Sequence, residues 1–209
     1  MTQISHAPRR EPQQARGKIA VKSIKRATAE LLEASGFEGL TTQTIADKAG
    51  INVATLYRYY PNKFAVVREL AETIEQERLI SSIEHLKGLS DTDDWRGLIQ
   101  ETLTNLINLR ETRPGARAIR RALQSSPELW DIEHQMLHNT ANELACVFVS
   151  VGTNLTETRA HSIALIIVAT VTHLLDVSHD VDTNVAELRE EMGLLIERYL
   201  APYLDAASI

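Results

Sequence analysis

Apolar residues recur at i, i+3, i+4 and i+7 from one end of this 209-residue chain to the other, and no stretch alternates with period two between hairpin turns. A chain patterned in this way buries its apolar stripes helix against helix, so the expected fold class is all-α. The first strong helix spans about 17–35, with Ile24, Ala27, Thr28 and Leu31 on one face and Gly36 as its stop. Thr41 caps a short helix over 42–49 that Gly50 ends, and Asn52 caps another over 53–59. Pro61-Asn62 breaks that helix and opens a long one carrying Phe64, Val67, Leu70 and Ile74. Further helices are expected over about 93–111, 114–124, 127–150, 157–177 and 185–204. Their punctuation comes from Ser126 ahead of Pro127, from Thr156, and from the capping-box spacing of Asn184 and Glu187.

With 44% hydrophobic and 24% charged residues, the chain has enough apolar surface to fold without metal or disulfide staples. Cys146 is its one cysteine, which rules out an intrachain disulfide and suits a reducing compartment. Residues 1–18 lack the apolar core of a signal peptide, and the greasiest run, Ile163–Val171, is shorter than the roughly 20 residues that span a bilayer. Arg159, His161, His173 and Asp176 flank that run, so it reads as a buried helix, with no membrane association and a cytoplasmic location expected.

The net charge of -6 hides an asymmetry. Met1–Lys63 holds ten Lys and Arg against five acids, whereas the remainder holds 12 against 23. A basic head on an acidic body is the distribution expected of a nucleic-acid-binding segment joined to a body that does something else.

That basic head contains Thr41–Tyr60, TTQTIADKAGINVATLYRYY, which has the pattern of a helix-turn-helix. Ala46 is small where two helices cross closely, Gly50 gives the turn its backbone freedom, and Ile51 and Leu56 fill the seam. The second helix is then held so that its outward residues can enter a major groove about 12 Å wide. Together with Ala27 and Leu31-Leu32 in the first helix and Gly36-Phe37 closing it, and with Leu56-Tyr57-Arg58-Tyr59-Tyr60 followed by Lys63, the stretch from Ile24 to Val67 resembles the N-terminal domain of the TetR family of bacterial transcriptional regulators.

The resemblance implies a three-helix helix-turn-helix DNA-binding domain over 17–62, preceded by a flexible basic tail, 1–16, and followed by a larger helical effector-binding and dimerisation domain, 63–209. It implies that Gln43 and Thr44 meet phosphates, that Asn52, Val53, Ala54, Thr55 and Tyr57 form the recognition surface, and that Tyr59 and Lys63 clamp the backbone beyond it. Val53 departs from the lysine many relatives carry there, so with Ala54 it suits thymine methyls, leaving polar readout to Asn52, Thr55 or Tyr57. Arg58 points to phosphate. Tyr60 is assigned to the core. Arg9, Arg10, Arg16 and Lys18 form either an arm that follows the minor groove or a solvated tail.

The other constellations are weaker. His134 and His138 stand at i, i+4, but Gln135 occupies the position where a hydrolytic zinc helix needs glutamate, so no metal is expected. Ser125, Ser126 and Cys146 lie in no nucleophile motif, no Gly-rich phosphate loop exists, and neither an enzyme nor a cofactor is expected. Trp95, His134, His138, Phe148 and His173 are candidates to line an effector pocket. The last two helices are apolar around more of their circumference than one packing face requires, which makes Ile163, Ile167, Val171, Leu188, Leu195 and Tyr199 candidates for a homodimer interface.

The expected protein is therefore a ligand-responsive transcriptional regulator, more often a repressor in that family, whose homodimer reads a palindromic double-stranded DNA operator and responds to a small-molecule effector. Two other readings stay open at this point. One is a DNA-binding protein of the same fold with no small-molecule effector, and the other is a helical metalloenzyme using His134 and His138.

Overall fold

The structure, a computed structural model, describes residues 7–8, 15–113, 115–151, 155–177 and 184–205; Arg9 and Arg10 of the tail, Pro114 and His179 lie outside the described residues. Helices account for nearly all of it, and no strand occurs among the described residues. They are α1 (Ala15–Ser35), α2 (Thr42–Ala49), α3 (Val53–Tyr59), α4 (Lys63–Leu86), α5 (Trp95–Thr112), α6 (Ala116–Gln124), α7 (Pro127–Ser150), α8 (Glu157–Val177) and α9 (Val185–Leu204). A single 3-10 turn, Lys87–Ser90, separates α4 from α5 and was not foreshadowed by the periodicity. The chain divides into two compact units, Met1–Gln76 with Arg110–His134, and Glu77–Leu109 with Gln135–Ile209; all three divisions fall within helices, inside α4 and α7 and near the end of α5.

In the first unit, α1 buries Val21, Ile24, Ala27, Thr28 and Leu32, a 3.6-residue stripe. Thr28 is fully buried, and its hydroxyl donates to the Ile24 carbonyl at 2.8 Å, which spares it the cost of an unmet polar group. The start of α4 contributes Ala65, Val66, Val67, Leu70 and Ala71 to this core. Lys25 ties α1 to α4 by an ion pair with Glu69 at 2.8 Å and a hydrogen bond to Thr73 at 3.2 Å.

The same unit takes in α6, which lies on α1. Gly115 sits in the left-handed region at φ +79°, and a Cβ there would stand 2.8 Å from that of Ala29. Its amide donates to the Glu33 carboxylate at 2.5 Å, so α1 supplies the acceptor for the backbone just ahead of α6. Ile119, Ala122 and Leu123 are buried below, and Arg120 pairs with Glu133 of α7 at 2.6 Å.

The second unit packs α5, most of α7, α8 and α9 around Trp95, Ile99, Leu103, Leu144, Phe148, Ile163, Val168, Met192, Ile196 and Leu200. Each such side chain contributes about 1.5–3 kcal/mol on burial. The start of α5 is stapled to the end of α9 where Trp95 Nε1 and Arg96 donate to the Asp205 carboxylate, at 2.9 and 2.8 Å. By length and composition α8 as a whole is apolar enough to cross a membrane, a longer apolar stretch than Ile163–Val171 alone. Ala160, Ile163, Ala164, Val168, Val171, Thr172 and Leu175 are nevertheless buried against protein, which is the pattern of a core helix.

Candidate nucleic-acid interface

The geometry begins with Thr41. Its side chain accepts from the Thr44 amide at 3.0 Å while the Thr44 hydroxyl accepts from the Thr41 amide at 3.0 Å, a capping box in which threonine replaces the usual Glu or Gln. Gly50, at φ +68°, then turns the chain, and Ile51 N–H closes on the Ala46 carbonyl at 3.0 Å. Ile45, Ala46 and Leu56 are fully buried in the seam between α2 and α3. Asn52 starts α3 by accepting from the Ala54 amide at 2.8 Å.

With the seam buried, the opposite face of α3 is outward. Asn52, Ala54, Tyr57 and Arg58 are exposed, and Val53 and Thr55 half-buried. Arg58 has no ion pair among the described residues, and its guanidinium lies 5.9 Å from the Tyr59 ring centre, so its charge faces solvent. On α2, Gln43 is exposed and donates to Asp47 at 2.8 Å, while Thr44 is largely committed to the capping box.

Two expected contacts are placed differently. Tyr59 is only 8% exposed, because α3 has just two turns and its inward side takes both Leu56 and Tyr59. Lys63 turns back: its ammonium donates to the Phe37 carbonyl at 3.0 Å and sits 4.0 Å from the Phe37 ring centre, so it joins the α1–α2 turn to the start of α4. Tyr60, expected in the core, is fully buried, and burial followed by the neighbouring Glu69 carboxylate raises its hydroxyl pKa far above the usual value.

One residue of this surface escaped the sequence reading. Thr42 Oγ1 lies 2.9 Å from the Tyr57 hydroxyl, a hydrogen bond between the first turn of α2 and the middle of α3. Fifteen residues separate the two, and nothing in the spacing marks the pair; it arises from the crossing of the helices.

Of the candidate effector-pocket residues, Phe148 lines a cavity of about 90 Å³ in the second unit, with Arg78, Leu86, Leu103, Thr140 and Ile196 among its other walls. Trp95, His134, His138 and His173 lie outside that lining. Trp95 is engaged with Asp205, His134 packs edge-on to Trp130 at 4.2 Å, His138 lies parallel to His161 at 6.2 Å, and His173 is exposed. Among the described residues, no three His, Cys, Asp or Glu side chains converge on a site that could hold a metal.

The candidate interface residues divide by helix face. Ile163 and Val171 are buried and Ile167 half-buried, with Ile167 and Val171 lining the cavity, because all three point into their own bundle. Leu195 is 49% exposed, Leu188 and Tyr199 are half-buried, and Ile166, which the pattern did not single out, is 51% exposed.

Comparison with known proteins agrees with this layout. Residues 24–70 match the profile of "Bacterial regulatory proteins, tetR family", and residues 94–200 match "Tetracyclin repressor-like, C-terminal domain". Tetracycline repressor protein class C of Escherichia coli is 29% identical over 121 residues, covering 57% of this chain and 52% of that protein. The nucleoid occlusion factor SlmA of Vibrio vulnificus strain YJ016 is 32% identical over 124 residues, 59% of each chain. The chain thus spans about half the length of the curated relatives it matches. Among solved structures, a protein from Mesorhizobium loti MAFF303099 described as a TetR-family transcriptional regulator superimposes with a TM-score of 0.71 at 18% identity, over 91% of this chain and 99% of that one. A TetR-family transcriptional regulator from Streptomyces coelicolor gives 0.59 at 22% identity, over 88% and 99%. At these identities the likeness is one of fold.

Proposed function

The chain belongs to the TetR family of bacterial regulatory proteins, and from that premise we propose that it is a cytoplasmic DNA-binding repressor whose homodimer reads a palindromic operator and releases it when a small molecule binds. The observation that carries the reading is the outward face of α3, where Tyr57 and the cation of Arg58, with no ion pair among the described residues, stand exposed on a helix whose other side is locked into α2. Ala54 and the half-buried Val53 suit apolar contact with thymine methyls, and Asn52, Thr55 and Tyr57 supply polar groups. Arg58 and the exposed Gln43 suit phosphates.

The release step is supported by continuity. One uninterrupted helix, α4, begins at Lys63 beside the turn it anchors and carries Arg78, Leu79, Ser82, Ile83 and Leu86 into the cavity wall. A ligand that displaces that wall and discriminates between two positions of α4 by about 1–3 kcal/mol weakens operator affinity about 5–150-fold. For the homodimer, the exposed Ile166 of α8 and Leu195 of α9 are the apolar surface to cover.

The test is a selection of genomic DNA fragments with the purified protein, repeated with Tyr57→Ala. A palindromic site recovered by the wild type and lost by the variant is the expected result. Salt-sensitive capture with no preferred sequence would sink the operator reading.

A further inference from the structure

A second concavity, roomier than the cavity beside Phe148, lies outside the second unit. It lies within the first unit, between the C-terminal end of α1 and α6, and at about 590 Å³ it falls inside the range of small-molecule sites. Its walls have a definite chemistry. Arg110, Arg113, Arg117 and Arg121 stand on the α5–α6 side, and Leu32, Phe37 and Ala122 give carbon surface.

Arg117 and Arg121 are the decisive pair. They are exposed, one helical turn apart and hence on the same face of α6, and neither has an ion pair among the described residues. Arg120, between them in sequence, points elsewhere and is neutralised by Glu133. Three carboxylates also line the cleft, Glu33, Glu38 and Glu111. Glu33 accepts the Gly115 amide, which occupies the backbone donor nearest the start of α6 and leaves Arg117 and Arg121 as the groups suited to recognise a ligand. Two guanidiniums side by side are suited to a tetrahedral dianion, which accepts from both forks, better than to a single carboxylate.

We propose that this cleft binds a small organic phosphate, its phosphoryl group held by Arg117 and Arg121 and its carbon portion lying on Leu32, Phe37 and Ala122. The site is independent of the operator surface on α3 and of the cavity beside Phe148. It joins the end of α1 to α6, and the Phe37 it uses is the residue whose carbonyl and ring hold Lys63.

The test is calorimetric titration of the full chain, free of DNA, with phenyl phosphate as the probe and phenol as its uncharged control. Saturable binding of phenyl phosphate, at one site per chain and absent with phenol, is expected. The double variant Arg117→Gln/Arg121→Gln weakens it by at least about ten-fold, and Arg117→Lys/Arg121→Lys restores part of the loss. Both pairs of substitutions are at exposed positions, and thermal melting without ligand checks that the fold is unchanged. Arg58→Gln and an excess of short duplex DNA separate this site from the recognition surface: the probe bound to the cleft is indifferent to the Arg58 substitution and is not displaced by DNA. No binding to the wild-type chain overturns the proposal. So does binding that survives the double variant, or binding that Arg58→Gln or duplex DNA abolishes, since the phosphate would then be standing in for the DNA backbone.

Discussion

Tyr57 shows how one side chain on this surface depends on another. Its hydroxyl is bonded to Thr42 rather than left to rotate in water, so the ring is pre-aimed before DNA arrives. Thr42→Val removes the hydroxyl and keeps the shape, and a weakening of operator affinity by about 2–10-fold is expected from the loss of one exposed hydrogen bond. Tyr57→Phe should cost at least as much. The double variant should cost less than the sum of the two, as a fluorescence-anisotropy double-mutant cycle would show; strict additivity would mean the bond does not position the ring. Glycines give a second contrast at this scale. Gly50 and Gly115 both occupy the left-handed region, but a Cβ on Gly50 meets open space whereas one on Gly115 meets Ala29. Gly50→Ala should therefore cost about 1–2 kcal/mol of folding stability in denaturant titration, and Gly115→Ala measurably more, because α6 must also lift from α1.

Among elements, the α5–α9 staple is electrostatic and therefore depends on pH. Hydrogen bonds from Arg96 and then from Trp95 lower the Asp205 pKa below the usual carboxylate range. A carboxylate lowered in the folded state stabilises that state at and above its unfolded pKa, and the stabilisation disappears as pH falls toward the folded one. The thermal midpoint of the wild type should accordingly fall on acidification through and below the ordinary carboxylate range more than that of Asp205→Asn, with Trp95 fluorescence as a local reporter. Equal acid slopes in the two proteins would show that the staple adds nothing, as is common for exposed ion pairs. At the other end of the chain, the α1–α2 turn is held by Lys63, a residue for which the family resemblance implied a clamp on the DNA backbone and whose ammonium is engaged by the Phe37 carbonyl and ring.

For the whole molecule, the proposed homodimer turns on which apolar residues would meet a second chain. Leu195→Glu, alone or with Ile166→Glu, should convert a dimer to a monomer in sedimentation while leaving the thermal midpoint of the isolated bundle nearly unchanged, since both side chains are about half exposed. Ile163→Ala should do the reverse, costing about 2–5 kcal/mol of stability through a cavity in the core without a specific effect on association. A Leu195→Glu chain that remains dimeric would place the interface elsewhere.

What the sequence determined by itself is everything whose cause is local. The boundaries of α2, α3, α7, α8 and α9 were legible because Thr41, Gly50, Asn52, Pro127, Thr156 and Asn184 act on the backbone within a turn of where they stand. The outward face of α3, which carries the proposed recognition surface, was legible for the same reason, since a buried seam and a glycine turn leave α3 only one outward face. What the tertiary structure decided is the direction of each helix face and the meeting of residues far apart in sequence. An apolar period says that a stripe is buried but not against what, so Ile163 and Val171 could not be told from Ile166 until α8 had neighbours. In the same way the pairing of Thr42 with Tyr57, the engagement of Lys63 with Phe37, and the packing of α6 on α1 that sets Arg117 and Arg121 in one cleft with Leu32 and Phe37 all come from the crossing of helices, which depends on the shapes of many side chains at once rather than on any spacing along the chain.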